Sequence, residues 1–420
     1  MMKLPYGHTH LEFDASGAVV LESRIGELVS TQDGAALVAQ ALQNPIDSAA
    51  LRALAVGKRD CTIIISDHTR PVPSRDILPP MLAELRAGNS QIEITLLVAT
   101  GFHRLTSEQE LIQKLGEDIV KRERIVVHDA YAADSNVKIG NLPSGAPLVI
   151  DRTAANAELL VAEGFIEPHF FAGYSGGRKS VLPGVCECAT VLGNHCSAFI
   201  DSPFARTGIL DRNPIHRDMI AAAAMANLAF IVNVVIDERQ KTVAAFAGNF
   251  LSAHRAGCDF LAEYCEVAPA YADIVVSTNG GAPLDQNIYQ SVKSMSAAES
   301  TANPGAILII CAECADGTGS EDFYRSLRDC ETPAALYDDI MATPQGETIP
   351  DQWESQILAR ILKKHEVILV TRSGLRDIVT GMKMTYAASL DEALCLARQK
   401  KGPGASLTVI PNGIAVIVTK

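Results

Sequence analysis

Four short runs in this 420-residue chain gather side chains able to move protons, hold anions or bind a metal. Ser66-Asp-His-Thr-Arg-Pro-Val-Pro73 sets Asp67 near Arg70. Arg presents a planar fork to a carboxylate or phosphate, and an acid can hold that fork in place. Ala99-Thr-Gly-Phe-His-Arg104 carries His103, whose ordinary pKa of ~6.5 suits acid–base work near neutrality. The longest run is Gly164-Phe-Ile-Glu-Pro-His-Phe-Phe-Ala-Gly-Tyr-Ser-Gly-Gly-Arg-Lys-Ser-Val-Leu-Pro-Gly184, followed by Gly193-Asn-His195. Here Gly173, Gly176 and Gly177 put permissive backbone beside Arg178 and Lys179, an anion-binding arrangement, with His169 and His195 close by. In the fourth run, Asn279 to Lys293, Tyr289 and Gln290 precede Lys293 by one helical turn and share its face. Each run has a plainer reading: a proline-stiffened turn, a histidine satisfying local hydrogen bonds, glycines that only turn the chain, a solvated helix face.

The surrounding pattern says what must position these groups. Cys61–Ser66, Ile92–Ala99 and Arg124–His128 read as strands, separated by helices over Ser74–Ala87 and Thr106–Leu115, the second opening on a capping box from Thr106. The pattern restarts after Tyr271, with strands at Ile274–Ser277, Ala306–Cys311, Glu366–Thr371 and Leu407–Ile410, and helices at Asp285–Ser300 and Leu390–Lys400. Such alternation predicts an α/β fold with mostly parallel sheets flanked by helices. At ~150 residues per domain, two are expected: a larger one over residues 1–268 and a smaller one over residues 269–420. Ligands in open α/β sheets sit beyond the carboxyl ends of strands, and several of the named groups follow a predicted strand directly.

Composition narrows the classes. With Lys+Arg at 36 against Asp+Glu at 49, the net charge of −13 excludes a nucleic-acid binder, whose affinity rests on a basic surface. The long apolar stretch Met219–Ile236 is broken by Asn227 and Asn233 and reads as a buried helix running into a strand, not a membrane span. The N-terminus has Pro and Gly where a signal peptide needs apolar residues, and ten cysteines are too sparse for a disulfide scaffold, so a reduced cytoplasm is expected. Cys186-x-Cys188 and Cys311-x-x-Cys314 differ in spacing and fall in different predicted domains, which favours core thiols over a structural zinc site. The run from Gly173 imitates a P-loop, but Arg178 replaces the glycine before Lys179 and no strand stands directly upstream. Gly317-x-Gly319 lacks the third glycine of a dinucleotide fingerprint.

Taken in order, LPYG near the N-terminus, SDHTRPVP, ATGFHR, EPHFFAGYSGGRKSVLPG, GNH and YQSVK resemble the lactate racemase family over residues 4 to 293, and Trp353 extends the match. The long central string is the specific one. The resemblance implies a nickel-pincer nucleotide cofactor: pyridinium-3,5-bisthiocarboxylic acid mononucleotide, joined to the protein as a thioamide and carrying nickel. Lys179 would be its attachment point and His195 the nickel ligand, with Asp67 and Thr69 lining the cofactor; by residue type, Gly176, Gly177 and Arg178 would hold its phosphate. His103 and His169 would be the acid/base pair, and Arg70, Gln290 and Lys293 would grip the substrate carboxylate, with Tyr289 nearby. The expected substrate is a small 2-hydroxy carboxylic acid, and the cofactor-making enzymes of the cell are implied partners; no nucleic acid or membrane is.

The chemistry is coherent on its own terms. The α-hydrogen of a 2-hydroxy carboxylate leaves with difficulty as a proton, because the neighbouring carboxylate cannot take up more negative charge. Leaving with its electron pair, it needs an electron sink that side chains lack and a cofactor supplies. The competing reading is a zinc-dependent hydrolase using His103, His169 and His195, which gives Lys179 no task.

Overall fold

The computed structural model describes residues 1–237 and 239–419. Two six-stranded sheets form its framework. The first has the order 242–248, 228–236, 160–165, 60–66, 93–99, 124–127, and all its pairs are parallel except the antiparallel edge Thr242–Gly248. The second runs 385–387, 366–370, 302–311, 272–278, 407–410, 19–20 and is parallel throughout. Helices cover both sheets, so the central strands read as continuous β-branched runs such as Thr62-Ile-Ile-Ile65, every residue buried.

Strand order explains why distant motifs converge. Asp60–Ser66 lies between Glu93–Ala99 and Leu160–Phe165, with Ser66 opposite Ala99 and Ile64 opposite Ala162. The loops after these three strands therefore leave the sheet side by side. They are the segments carrying Asp67 and Arg70, His103, and His169 through Lys179.

Several local expectations shift. The capping box belongs to Ser107, whose hydroxyl accepts from the Glu110 amide while the Glu110 carboxylate accepts from the Ser107 amide at 2.9 Å. Thr106 turns inward instead to His68 Nδ1 at 3.0 Å. The helix expected over Asp285–Ser300 spans Ile288–Glu299 and is capped by Asn287. Asp285 stays outside it because its carboxylate accepts the Gly7 and Glu313 amides, at 2.7 and 3.0 Å, tying the N-terminal hairpin (Met2–Tyr6 with Thr9–Phe13) to the second sheet. The helix read into the first part of Met219–Ile236 begins earlier, at Pro214, because the Asn213 side chain caps it there. Cys186, Cys311 and Cys314 are fully buried, and burial pushes their thiols well above the ordinary range. Among the described residues, no helix is long and apolar enough to cross a membrane.

Candidate active site

The loop after Asp60–Ser66 places Asp67 almost wholly inside the protein, 1% exposed, where its two oxygens do different work. Oδ1 accepts from the Thr69 hydroxyl (2.8 Å) and amide (3.2 Å); Oδ2 lies 2.6 Å from His103 Nδ1. Burial alone would raise the Asp67 pKa, but the His103 bond and charge, then Thr69 and Arg70, hold it below its ordinary value. An ionised Asp67 makes His103 Nδ1 the donor and leaves Nε2 to take or give a proton. The His103 side chain is 40% exposed, so the pair joins an anchored base to an accessible acid.

Beyond Leu160–Phe165, a two-rung hairpin pairs Pro168 with Tyr174 and His169 with Gly173, and a short 3-10 turn (Gly177–Ser180) follows. His169 Nδ1 accepts from the Ala172 amide at 3.2 Å, so the neutral ring carries its proton on Nε2, which lies 3.2 Å from Lys179 Nζ. Lys179 is then the acceptor in that contact, an uncharged amine. Electrostatics agree: burial, then Arg178 and Arg70, push the Lys179 pKa far below its ordinary value, and burial and Lys179 do the same to His169. An uncharged lysine amine is a nucleophile.

His195 closes the helix Cys188–Asn194 as its C-cap residue and donates from Nδ1 to the Val191 carbonyl at 3.0 Å. It is 5% exposed, and burial followed by Lys179 lowers its pKa to about 3. The ring is therefore neutral, and no described residue hydrogen-bonds its Nε2. A backbone carbonyl fixing one ring nitrogen while the other stays free is the usual preparation of a metal-binding imidazole. Phe171 stands edge-on between His169 (4.5 Å) and His195 (5.2 Å). Trp353, from the second half of the chain, meets the other edge of His195 at 5.0 Å and stacks on Phe102 at 6.1 Å.

The helix Ile288–Glu299 presents Tyr289, Gln290 and Lys293. Lys293 feels Arg70, Glu167 and Glu354, and burial, reinforced by Arg70, lowers its pKa. Tyr289 donates to Asp351 Oδ1 at 3.0 Å. Glu167, which residue spacing did not single out, faces Lys293, Arg70 and Lys179; burial raises its pKa against the pull of those cations. A carboxylate two residues before His169, on a loop already rich in cations, was the available signal.

One expectation about the glycine-rich loop needs correction. Arg178 is 1% exposed and turns inward: Nε donates to His216 Nδ1 (2.9 Å), Nη1 to the Tyr174 carbonyl (2.8 Å) and Nη2 to the Ala172 carbonyl (2.7 Å). Its donors brace the loop and leave no fork for a phosphate. Gly176 has φ +73°, and a β-carbon there would come within 2.8 Å of the Asn233 side chain and the Phe165 carbonyl; one on Gly177 would meet the His254 ring at 2.7 Å. These two glycines let the loop pack on its own protein. The zinc alternative also loses its basis, because among the described residues no three His, Cys, Asp or Glu side chains converge to hold a metal.

A buried uncharged lysine, a free imidazole nitrogen, a carboxylate–histidine pair and a cationic anchor describe an enzyme site for an anionic substrate. Models of the lactate racemase N-terminal and C-terminal domains match residues 6–208 and 267–418, and the chain belongs to the lactate racemase family. It is 51% identical over 420 residues to a lactate racemase of Thermoanaerobacterium thermosaccharolyticum, covering 99% of both chains. It is 52% identical over 381 residues to one of Lactiplantibacillus plantarum, covering 91% of this chain and 90% of that one. The solved structure of the lactate racemase apoprotein from T. thermosaccharolyticum superposes with a TM-score of 0.96 at 50% identity, over 100% of this chain and 99% of the other. A Thermotoga maritima protein, 16% identical, shares the fold with a TM-score of 0.64 over 92% of this chain and 97% of its own.

Proposed function

We propose that this protein interconverts the enantiomers of a small 2-hydroxy carboxylic acid, lactate first, with a nickel-pincer nucleotide tied to Lys179 and ligated through His195. The observation that carries the reading is the pairing of an uncharged Lys179 amine with a neutral His195 whose Nε2 is free. The first suits acylation into a thioamide, and the second offers one soft-compatible nitrogen to a metal otherwise held by the nucleotide. When bound, the group supplies a reversible store for the α-hydrogen and its electron pair.

The remaining chemistry falls to the chain. Arg70, Lys293 and Gln290 hold the substrate carboxylate, keeping the reacting carbon near Lys179 and His195. His103 Nε2, oriented by Asp67, starts free to take the hydroxyl proton, and His169 Nε2 starts with a proton to return to the substrate oxygen; for the other enantiomer the two exchange roles. Phe102, Phe171 and Trp353 exclude water, which strengthens the cationic grip on the carboxylate. Thr69 sets the Asp67 carboxylate and so acts one bond removed. Lys293, Tyr289 and Trp353 reach the site from residues 269–420 and the other groups from residues 1–268, although Met2–Phe13 of that first part packs against the second sheet and Val19–Val20 joins it.

The test is an intact mass of protein co-expressed with the cofactor-making enzymes. The reading requires a mass increase localised to Lys179 together with nickel and racemisation of a single lactate enantiomer. Bound zinc and an unmodified lysine would overturn it.

A further inference from the structure

The helix Gln352–Leu362 brings Trp353 to the site and carries, one residue on, a carboxylate that none of the chemistry above uses. Glu354 is 1% exposed, and neither of its oxygens has a hydrogen-bond partner among the described residues. Leaving both oxygens of a buried acid unpaired is costly, because each gives up its bonds to water and gains none in return. A fold keeps such a group where a partner arrives later or a nearby charge needs it. The helix packs against Ile288–Glu299, and the groups that face Glu354 are Lys293 and Tyr289 from that helix and Asp351 from its own turn. Lys293 is the mirror image: an amine with no hydrogen bond or ion pair among the described residues, facing Arg70 and Glu167 on its other side. Acid and amine attract each other without touching, and the amine remains available to a third group.

We propose that Glu354 is the positioning residue for Lys293: an unpaired carboxyl group behind the amine that keeps it protonated and turned toward the substrate carboxylate. Resting as it does on the substrate-anchoring role of Lys293, this deepens the functional reading above. The balance is one of protons only. Burial raises the Glu354 pKa and lowers that of Lys293, while the charge of each draws the other back toward ionisation, so the pair holds one proton between them, on the amine. Affinity for the carboxylate therefore falls where rising pH takes that proton off the amine.

Glu354→Gln keeps shape and removes the negative charge. It also removes an unsatisfied buried acid, so the variant should fold, with a melting temperature at or above that of the parent. Without the acid the Lys293 amine loses its proton at lower pH. Two measurements decide the matter. In the unloaded protein, the pH dependence of Lys293 acylation by acetic anhydride, followed by peptide mass, should shift to lower pH in the variant by about one unit. In the loaded enzyme the alkaline limb of 1/KM for lactate should move the same way, raising KM about tenfold above the limb, with kcat within about twofold. Superimposable Lys293 acylation profiles would overturn the proposal even if racemisation is normal. A shifted acylation profile in a protein that does not racemise lactate would retain the Glu354–Lys293 relation and overturn the functional reading instead.

Discussion

His103 Nδ1 lies 2.6 Å from Asp67 Oδ2, joining a loop after one parallel strand to the loop after its neighbour. The bond dictates the tautomer of His103, so its replacement should damage catalysis more than binding. Asp67→Asn offers an amide that can donate to Nδ1 and turn the reactive lone pair inward. Losses of about 10²–10⁴-fold in kcat, with KM little changed, are expected for misoriented acid–base groups. Parallel losses in kcat and 1/KM would point to a collapsed loop instead.

Lys179 and His195 are separable. His195→Ala should retain the mass increase on Lys179 while losing the metal, measured by elemental analysis of the purified protein. Lys179→Met should lose the mass increase and all activity above background. A His195→Ala protein with nickel at the parental ratio would remove His195 from the ligand set.

Trp353 ties the second half of the chain to the first through two ring contacts, to His195 at 5.0 Å and Phe102 at 6.1 Å. Trp353→Ala removes a large buried side chain and should cost about 3–5 kcal/mol of stability. Trp353→Phe should recover most of that loss. Equal denaturant midpoints for Ala and Phe variants would show that packing at this position is not what holds the two halves at the site.

The buried histidines make stability fall in acid. His195 and His216 both have pKa values lowered to about 3 by burial, with cations adding to the effect. The unfolded chain takes up these protons near pH ~6.5 and the folded chain does not. Their contribution is therefore complete above pH ~6.5 and drains away as pH falls toward about 3. His216 Nδ1 accepts from Arg178 Nε at 2.9 Å, so its protonation also breaks the brace of the lysine loop. The melting temperature of the unloaded protein should drop steadily between pH 7 and 4, less steeply in His216→Gln. Parallel slopes would assign the acid sensitivity elsewhere.

Much of this was legible because the chemistry follows parallel strands. Runs such as Cys61–Ser66 announce a buried strand, and the polar groups just after it must emerge at one edge. Residue order alone could not show that Val19–Val20 joins the far sheet, since that pairing with Leu407–Ile410 spans almost the whole chain. The Ala-rich edge Thr242–Gly248 lacks the β-branched run that marks the central strands. Arg178 was misread because a cation beside glycines implies an anion site, whereas the backbone carbonyls that occupy it leave no trace in the sequence. Glu354 was invisible for a related reason: a glutamate in an amphipathic helix looks solvated, and only packing reveals that it is buried with no hydrogen-bond partner among the described residues.

The most direct measurement uses lactate deuterated at carbon 2, turned over by the loaded enzyme in ordinary water and analysed after partial racemisation. Transfer of the hydrogen with its electron pair, out of reach of solvent, predicts that the newly formed enantiomer keeps its deuterium. Product carrying solvent hydrogen at that carbon would mean a side-chain base removes a proton, and would contradict the account.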